Sequence, residues 1–180
     1  VFFDRDDTLI ACRDVTPDGD LGDPSLVRLL PGAADACAAL RSHGWFIAVV
    51  SNQGGVARGM YGLDQVSACN DRLNELLGGA VDAFRFCPYH PRGIVCGLST
   101  EHPWRKPAPG MLLDIAEKHR IDLAASWMVG DAERDIEAGL AAGCRTILVR
   151  GVTADAVTTK AHHAVSSLQR AAAIILEHSR

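Results

Sequence analysis

No apolar run in this 180-residue chain approaches the roughly 20 residues needed to cross a bilayer as a helix. Its start has none of the charged-then-apolar make-up of a secretory leader. Positive charge is not in excess either. A formal net charge of −4 argues against nucleic acid or an anionic membrane surface as a partner. Regular cysteine spacing is missing as well. Cys12, Cys37, Cys69, Cys87, Cys96 and Cys144 are scattered, so they are expected to be free thiols in a reducing cytoplasm, except where two could hold a metal. Internal repeats, low-complexity tracts and interdomain linkers are also lacking. What remains is an ordinary globular balance, 48% apolar and 22% charged, in a chain long enough to close one core. One domain over residues 1–180, acting as a monomer, is expected.

The apolar segments then set the architecture. Val1–Phe3, Trp45–Val50, Phe84–Phe86, Trp127–Val129 and Thr146–Val149 read as short strands, near-continuously apolar, as when both sheet faces are buried. Helices are expected from Pro31-Gly32 to His43, Leu63 to Leu77, Gly110 to His119, Ala132 to Ala142 and Leu168 to Glu177, with a short strand near Ala164. Gly44 stops the first helix. A loop rich in Asp, Pro and Gly covers Arg13 to Pro24, and an irregular stretch covers 87–106. The alternation predicts an α/β fold: a three-layer, Rossmann-like parallel sheet with helices on both faces. Because the sequence starts within its first strand, the beginning of that strand is expected to lie outside it.

Three polar clusters follow apolar strands. The first, Asp4-Arg5-Asp6-Asp7-Thr8, puts three carboxylates within four residues at the end of a buried strand, which costs much electrostatic energy. A divalent cation would offset that cost. The others are Ser51-Asn52 and Asp131 to Asp135. Taken singly, each has an ordinary reading: an acidic turn, a helix cap, a helix N-cap, with Lys106 as a surface lysine. Ligands of open parallel sheets gather at the carboxyl ends of strands. If these strands are neighbours, all three clusters meet in one crevice, with Lys106 supplied by the irregular loop.

In this combination the chain resembles the haloacid dehalogenase superfamily of aspartate-nucleophile phosphohydrolases. Asp4, Asp6 and Thr8 match its Asp-x-Asp-x-Thr signature, and Ser51 its second-strand hydroxyl. Arg105-Lys106-Pro107 matches the third motif, and Gly130-Asp131 with Asp135 the fourth. Asp4-Arg5-Asp6, Ser51-Asn52-Gln53, Gly55-Val56-Ala57-Arg58-Gly59 and Pro109-Gly110-Met111 are similar to the branch of heptose-bisphosphate and histidinol-phosphate phosphatases. That branch has no large cap domain, and no connection here is long enough for one.

The resemblance implies a Mg²⁺-dependent phosphatase of a small phosphorylated sugar. The chemistry agrees with it. A phosphate dianion repels a carboxylate nucleophile unless cationic groups neutralise its oxygens. Asp4 is then the nucleophile and Asp6 the general acid and base. Ser51 binds a phosphoryl oxygen and Lys106 supplies fixed positive charge. Mg²⁺ takes the Asp4 and Asp131 carboxylates and the Asp6 backbone carbonyl. Asp135, one helical turn after Asp131, orients Lys106 or the metal's waters. Asn52, Gln53, Arg58 and Arg105 are the substrate-binding candidates, the arginines for sugar hydroxyls or a second phosphate. A heptose bisphosphate is the leading substrate. Histidinol phosphate, or a catalytically silent binding domain that keeps the fold, are the alternatives.

Two departures stand out. Many members carry a structural zinc before the Arg-Lys-Pro motif, on Cys-x-His and Cys-x-Cys pairs. Here Tyr89 takes the first histidine's place, and His102-Pro103-Trp104 falls where the second pair belongs. Zn²⁺ on Cys87, His90, Cys96 and His102 is chemically acceptable, but the lost spacing favours a metal-free loop held by Trp104, Tyr89 and the prolines. The second departure is Asp7, where the family has glycine. Asp is tolerable there with negative φ, or in the left-handed region that Asp accepts better than most residues.

Overall fold

A computed structural model describes residues 1–16, 19–150 and 158–178. Six strands form one sheet: β1 (Phe2–Phe3), β2 (Ala48–Asn52), β3 (Ala83–Cys87), β4 (Trp127–Gly130), β5 (Arg145–Val149) and β6 (His163–Val165). Their order is β3-β2-β1-β4-β5-β6, and every pairing is parallel. Five helices connect or follow them: α1 (Ala33–Ser42), α2 (Leu63–Leu76), α3 (Gly110–His119), α4 (Glu133–Ala142) and α5 (Leu168–Glu177). The expected three-layer α/β architecture is the one found.

Alternation along the strands sorts side chains into two layers. Phe3, Val49, Val129 and Ile147 pack with Cys37 and Leu40 of α1, Leu73 of α2 and Ile175 of α5. Phe2, Ala48, Val50 and Met128 face the other way, onto Met111 and Ile115 of α3 and Ala138 of α4. Phe2 and Phe3 are each 1% exposed, and a side chain of this kind contributes about 1.5–3 kcal/mol when fully buried. Two adjacent phenylalanines thus lock β1 into the middle of the sheet from both faces.

That position decides where the chemistry goes. β1 lies between β2 and β4, with Phe3 level with Val49 and Val129, so the carboxyl ends of the three strands open side by side. Asp4 and Asp131 follow their strands there and Ser51 lies next to the end of β2, still paired, while the Asp4 backbone N–H donates to the Val129 carbonyl at 2.9 Å.

Candidate active site

Asp4 and Lys106 lie at the centre, 3% and 2% exposed. Lys106 reaches in from the loop before α3, and its Nζ donates to Asp4 Oδ1 at 2.6 Å and to the Val50 carbonyl at 2.8 Å. The same Nζ lies 2.8 Å from Asp135 Oδ1. Burial works against the lysine's charge, yet Asp135 and then Asp4 hold its pKa above the usual value. The loop is fixed by Asn52, whose side-chain amide donates to the Lys106 carbonyl at 2.9 Å and whose Oδ1 accepts the Lys106 N–H at 3.0 Å. The Lys106–Pro107 bond is cis.

Asp131 follows β4 at the mouth of the crevice and Asp135 sits on the first turn of α4. A Cβ on Gly130 would fall 2.4 Å from the Asp135 side chain, so only glycine there admits Asp135 beneath the strand end. Asp135 Oδ2 also accepts the Ala132 N–H at 3.1 Å. One carboxylate oxygen from each of Asp4, Asp131 and Asp135 lies within 4.8 Å of the others. Burial, then the charge of Asp135, pushes Asp4 up to about 7 against the pull of Lys106. The same two causes raise Asp131. Asp131 Oδ1 and the Ser51 hydroxyl are buried and have no hydrogen-bond partner among the described residues. An unpartnered carboxylate oxygen beside two more carboxylates is what a hard divalent cation fits, and an unpartnered hydroxyl at the end of the strand beside Asp4 suits a phosphoryl oxygen.

Asp6 is held from both sides. Arg5 Nε donates to Asp6 Oδ1 at 3.0 Å, and Gln53 Nε2 donates to Oδ2 at 2.7 Å. Arg5 is itself fully buried, and its other nitrogens donate to Asn70 Oδ1 of α2 and to the Leu21 carbonyl, both at 3.2 Å. Asp7 adopts φ +59°, the left-handed alternative. Its side chain explains why an aspartate tolerates this: Oδ1 accepts the N–H groups of Cys12 at 2.9 Å and Arg13 at 3.0 Å. Arg13 then bridges Asp7 and Asp131, at 3.2 Å to each.

Among the substrate candidates, Arg58 pairs with Asp20, and Arg105 donates to the Tyr89 carbonyl at 3.3 Å. Both guanidiniums lie close to Gly54, where a Cβ would fall 2.9 Å from His90 Cδ2, 3.1 Å from Arg58 Nη1 and 3.3 Å from Arg105 Nη1. Burial, and then the neighbouring charges of Arg58 and Arg134, depress the Arg105 pKa. Beside it, Asp20, Arg58, Met60, His90 and Arg92 line a cleft of about 580 Å³. Asn52 and Gln53 direct their amides at Lys106 and Asp6.

The four zinc candidates are not brought together. Among the described residues, Asp4, Asp131 and Asp135 are the group of three whose ligand atoms converge. His90 Nδ1 accepts the Arg92 N–H at 3.0 Å, and His102 Nδ1 accepts the Trp104 N–H at 3.1 Å. The His102 ring stacks on Tyr89 with centroids 4.1 Å apart, and Cys96 is exposed while Cys87 is buried. Sequence reasoning missed Tyr61, Asn70 and Asp20 as site supports. The crowd of glycines around Tyr61 was the available signal for it.

Comparison with known proteins agrees with this geometry. A family profile described as HAD-hydrolase-like matches residues 103–171. A D-glycero-D-manno-heptose-1,7-bisphosphate 7-phosphatase of Thermosynechococcus vestitus is 44% identical over 131 residues, 69% of this chain and 67% of its own. The D-glycero-beta-D-manno-heptose-1,7-bisphosphate 7-phosphatase of Escherichia coli is 34% identical over 168 residues, covering 91% of this chain and 84% of its own. The solved D,D-heptose 1,7-bisphosphate phosphatase of B. bronchiseptica, a complex with magnesium and phosphate, superposes with a TM-score of 0.82 at 30% identity, covering 99% of this chain and 98% of that one. The chain belongs to the haloacid dehalogenase-like phosphatases, in the branch that holds these heptose-bisphosphate phosphatases.

Proposed function

We propose that this chain hydrolyses the 7-phosphate of D-glycero-D-manno-heptose 1,7-bisphosphate through an aspartyl-phosphate on Asp4. The observation that carries the chemistry is the grouping around Asp4: Lys106 on its Oδ1, the unpartnered Ser51 hydroxyl and the unpartnered Asp131 Oδ1. An Asp4 oxygen attacks phosphorus in line, the ester P–O bond breaks, and Asp6 gives its proton to the leaving sugar oxygen. Asp6 then takes a proton from water, whose oxygen attacks the aspartyl-phosphate and frees phosphate and the Asp4 carboxylate. Ser51 and Lys106 hold the phosphoryl oxygens throughout, with their dipoles and charge set in place before the reaction.

The carboxylates of Asp4 and Asp131, with the Asp6 carbonyl, are the proposed Mg²⁺ ligands, and Asp135 acts on Lys106 from outside that set. When bound, the ion neutralises phosphoryl charge that would otherwise repel Asp4. Arg58, which lines the cleft beyond Gly54, and Arg105 near it are the proposed contacts for the second phosphate, and the closeness of both guanidiniums to Gly54 supports this. The relatives' shared activity supports this substrate over histidinol phosphate.

Phosphate release from the heptose bisphosphate tests the reading. Release is expected with Mg²⁺, to vanish with chelator and to vanish in Asp4→Asn. Turnover by Asp4→Asn would overturn the nucleophile, and a higher kcat/KM for histidinol phosphate would overturn the substrate.

A further inference from the structure

Beyond the catalytic group, one half-buried side chain has been given unusual room. Tyr61 follows the Gly55–Gly59 run, and its ring lies between two backbones. A Cβ on Gly22 would fall 2.3 Å from its Cγ, and one on Gly55 would fall 2.5 Å from its Cε1. Real Cβ contacts are never that short, so glycine at both positions is what lets the ring lie flat between them. The clamp aims the hydroxyl at a chosen atom. Tyr61 donates to Gln53 Oε1 at 3.0 Å, and Asp20 Oδ1 lies farther off at 3.4 Å. A phenol has one proton to give. Arg58 occupies the other oxygen of Asp20, Oδ2, and of the two acceptors that the phenol reaches, the shorter bond to Gln53 takes its proton. Burial, and then the charge of Asp20, raises the Tyr61 pKa, which keeps the hydroxyl a donor.

The consequence falls on Gln53, which is 1% exposed. A glutamine amide has an acceptor end and a donor end that a half-turn exchanges. Tyr61 at Oε1 fixes which end is which, so Nε2 faces Asp6 Oδ2 at 2.7 Å. The Gln53 backbone N–H, donating to the Cys87 carbonyl at 2.8 Å, anchors the residue. We infer that Tyr61 is a positioning residue for the general acid Asp6, acting through the amide of Gln53. This rests on the proposed phosphatase reading, in which Asp6 protonates the leaving oxygen.

The proton step gives the role a signature that simple packing lacks. A good leaving group departs without a proton, whereas a basic one needs it in the transition state. A misaimed Asp6 therefore penalises substrates in proportion to leaving-group basicity. The experiment measures kcat/KM with Mg²⁺ for aryl phosphates graded in leaving-group pKa. That ratio covers only the steps up to departure, so breakdown of the aspartyl-phosphate does not enter.

Tyr61→Phe removes one oxygen and keeps the ring. It is expected to steepen the fall of log kcat/KM with leaving-group pKa, losing about tenfold on the most basic member, a part of the 10²–10⁴ a general acid supplies. Gln53→Leu should steepen it the same way, and adding Tyr61→Phe to Gln53→Leu should change little, because the two residues form one path. An unchanged slope in a folded Tyr61→Phe, or independent losses in the double variant, overturns the relay. If Tyr61→Phe melts out, an unchanged slope in Gln53→Leu overturns it alone. A wild-type protein that releases no phosphate from any of these esters would instead defeat the phosphatase reading.

Discussion

Replacing Lys106 with Met tests the heart of the site, because it removes one buried charge while keeping most of the side-chain volume. Nζ sits 2.6 Å from Asp4 Oδ1 and 2.8 Å from Asp135 Oδ1, and all three groups are buried. At an effective dielectric near 20, each contact is worth about 6 kcal/mol before desolvation. Taking three charges out of water consumes most of that gain, so the net worth of the cluster is small. Truncating the shared cation is a different matter, since it leaves two carboxylates buried with no partner. About 3–5 kcal/mol of stability should be lost. The sign with pH follows from Asp4, which burial and Asp135 already push up to about 7. Without Lys106, the folded state binds protons still more readily than the unfolded chain. Stability therefore falls as pH rises through that window, and the variant should be worst at pH 8 and recover toward pH 5. Urea unfolding of both proteins without metal at the two pH values measures this. A loss under about 1 kcal/mol at pH 8, or one that grows on acidification, would refute the idea that Lys106 compensates Asp4 and Asp135.

Asp7 and the cation make two more predictions. Asp7→Gly gives up the two accepted N–H bonds, about 1 kcal/mol each, in a backbone geometry glycine takes freely. Asp7→Ala loses the same bonds and keeps φ +59° with a Cβ and no local hydrogen bond, roughly 1–2 kcal/mol more. Urea midpoints should rank Asp7→Ala below Asp7→Gly, and equal midpoints would contradict the strain argument. Mg²⁺ must compete with the proton that Asp4 favours below about 7. The Tm increase on adding Mg²⁺ should accordingly be larger at pH 8 than at pH 5, as differential scanning fluorimetry would read, and the reverse order would sink the carboxylate site.

Much of this architecture is legible in the sequence because the central strands are doubly buried. Val-rich runs such as Ala48–Val50 and Met128–Val129 announce strands by composition alone, and Gly44, at φ +81°, marks the end of α1. The strand-end clusters are legible for the same reason: charge that directly follows a buried strand has one place to go. What the sequence hides are the partners reached through folding. Arg5 stands beside Asp6 in the chain, but its other anchors lie on Leu21 and Asn70, positions that only tertiary packing brings near. Asn52 and Gln53 read as substrate contacts because they follow Ser51. Their amides also engage Lys106 and Asp6, a supporting role that no spacing rule announces. Asp7 is the opposite case, a local solution, where the side chain bonds its own loop five and six residues on.

The pairing pattern also bears on the proposed divalent ion. Asp4, Asp6, Asp7, Asp131 and Asp135 are five carboxylates, and the cations paired with them are three: Lys106 on Asp4 and Asp135, Arg5 on Asp6, and Arg13 on Asp7 and Asp131. With every group ionised two negative charges remain, and one remains when Asp6 carries the proton it gives to the leaving oxygen, so the site stays negative in either state. The cations are also unequal. Lys106 and Arg5 are buried and tied to backbone carbonyls, so they cannot yield. Arg13, with its side chain 59% exposed, holds only Oδ2 of Asp131 and leaves Oδ1 unpartnered. A metal entering at Asp131 would therefore meet a free oxygen and a surface arginine, and it would disturb neither the lysine on Asp4 nor the arginine on Asp6.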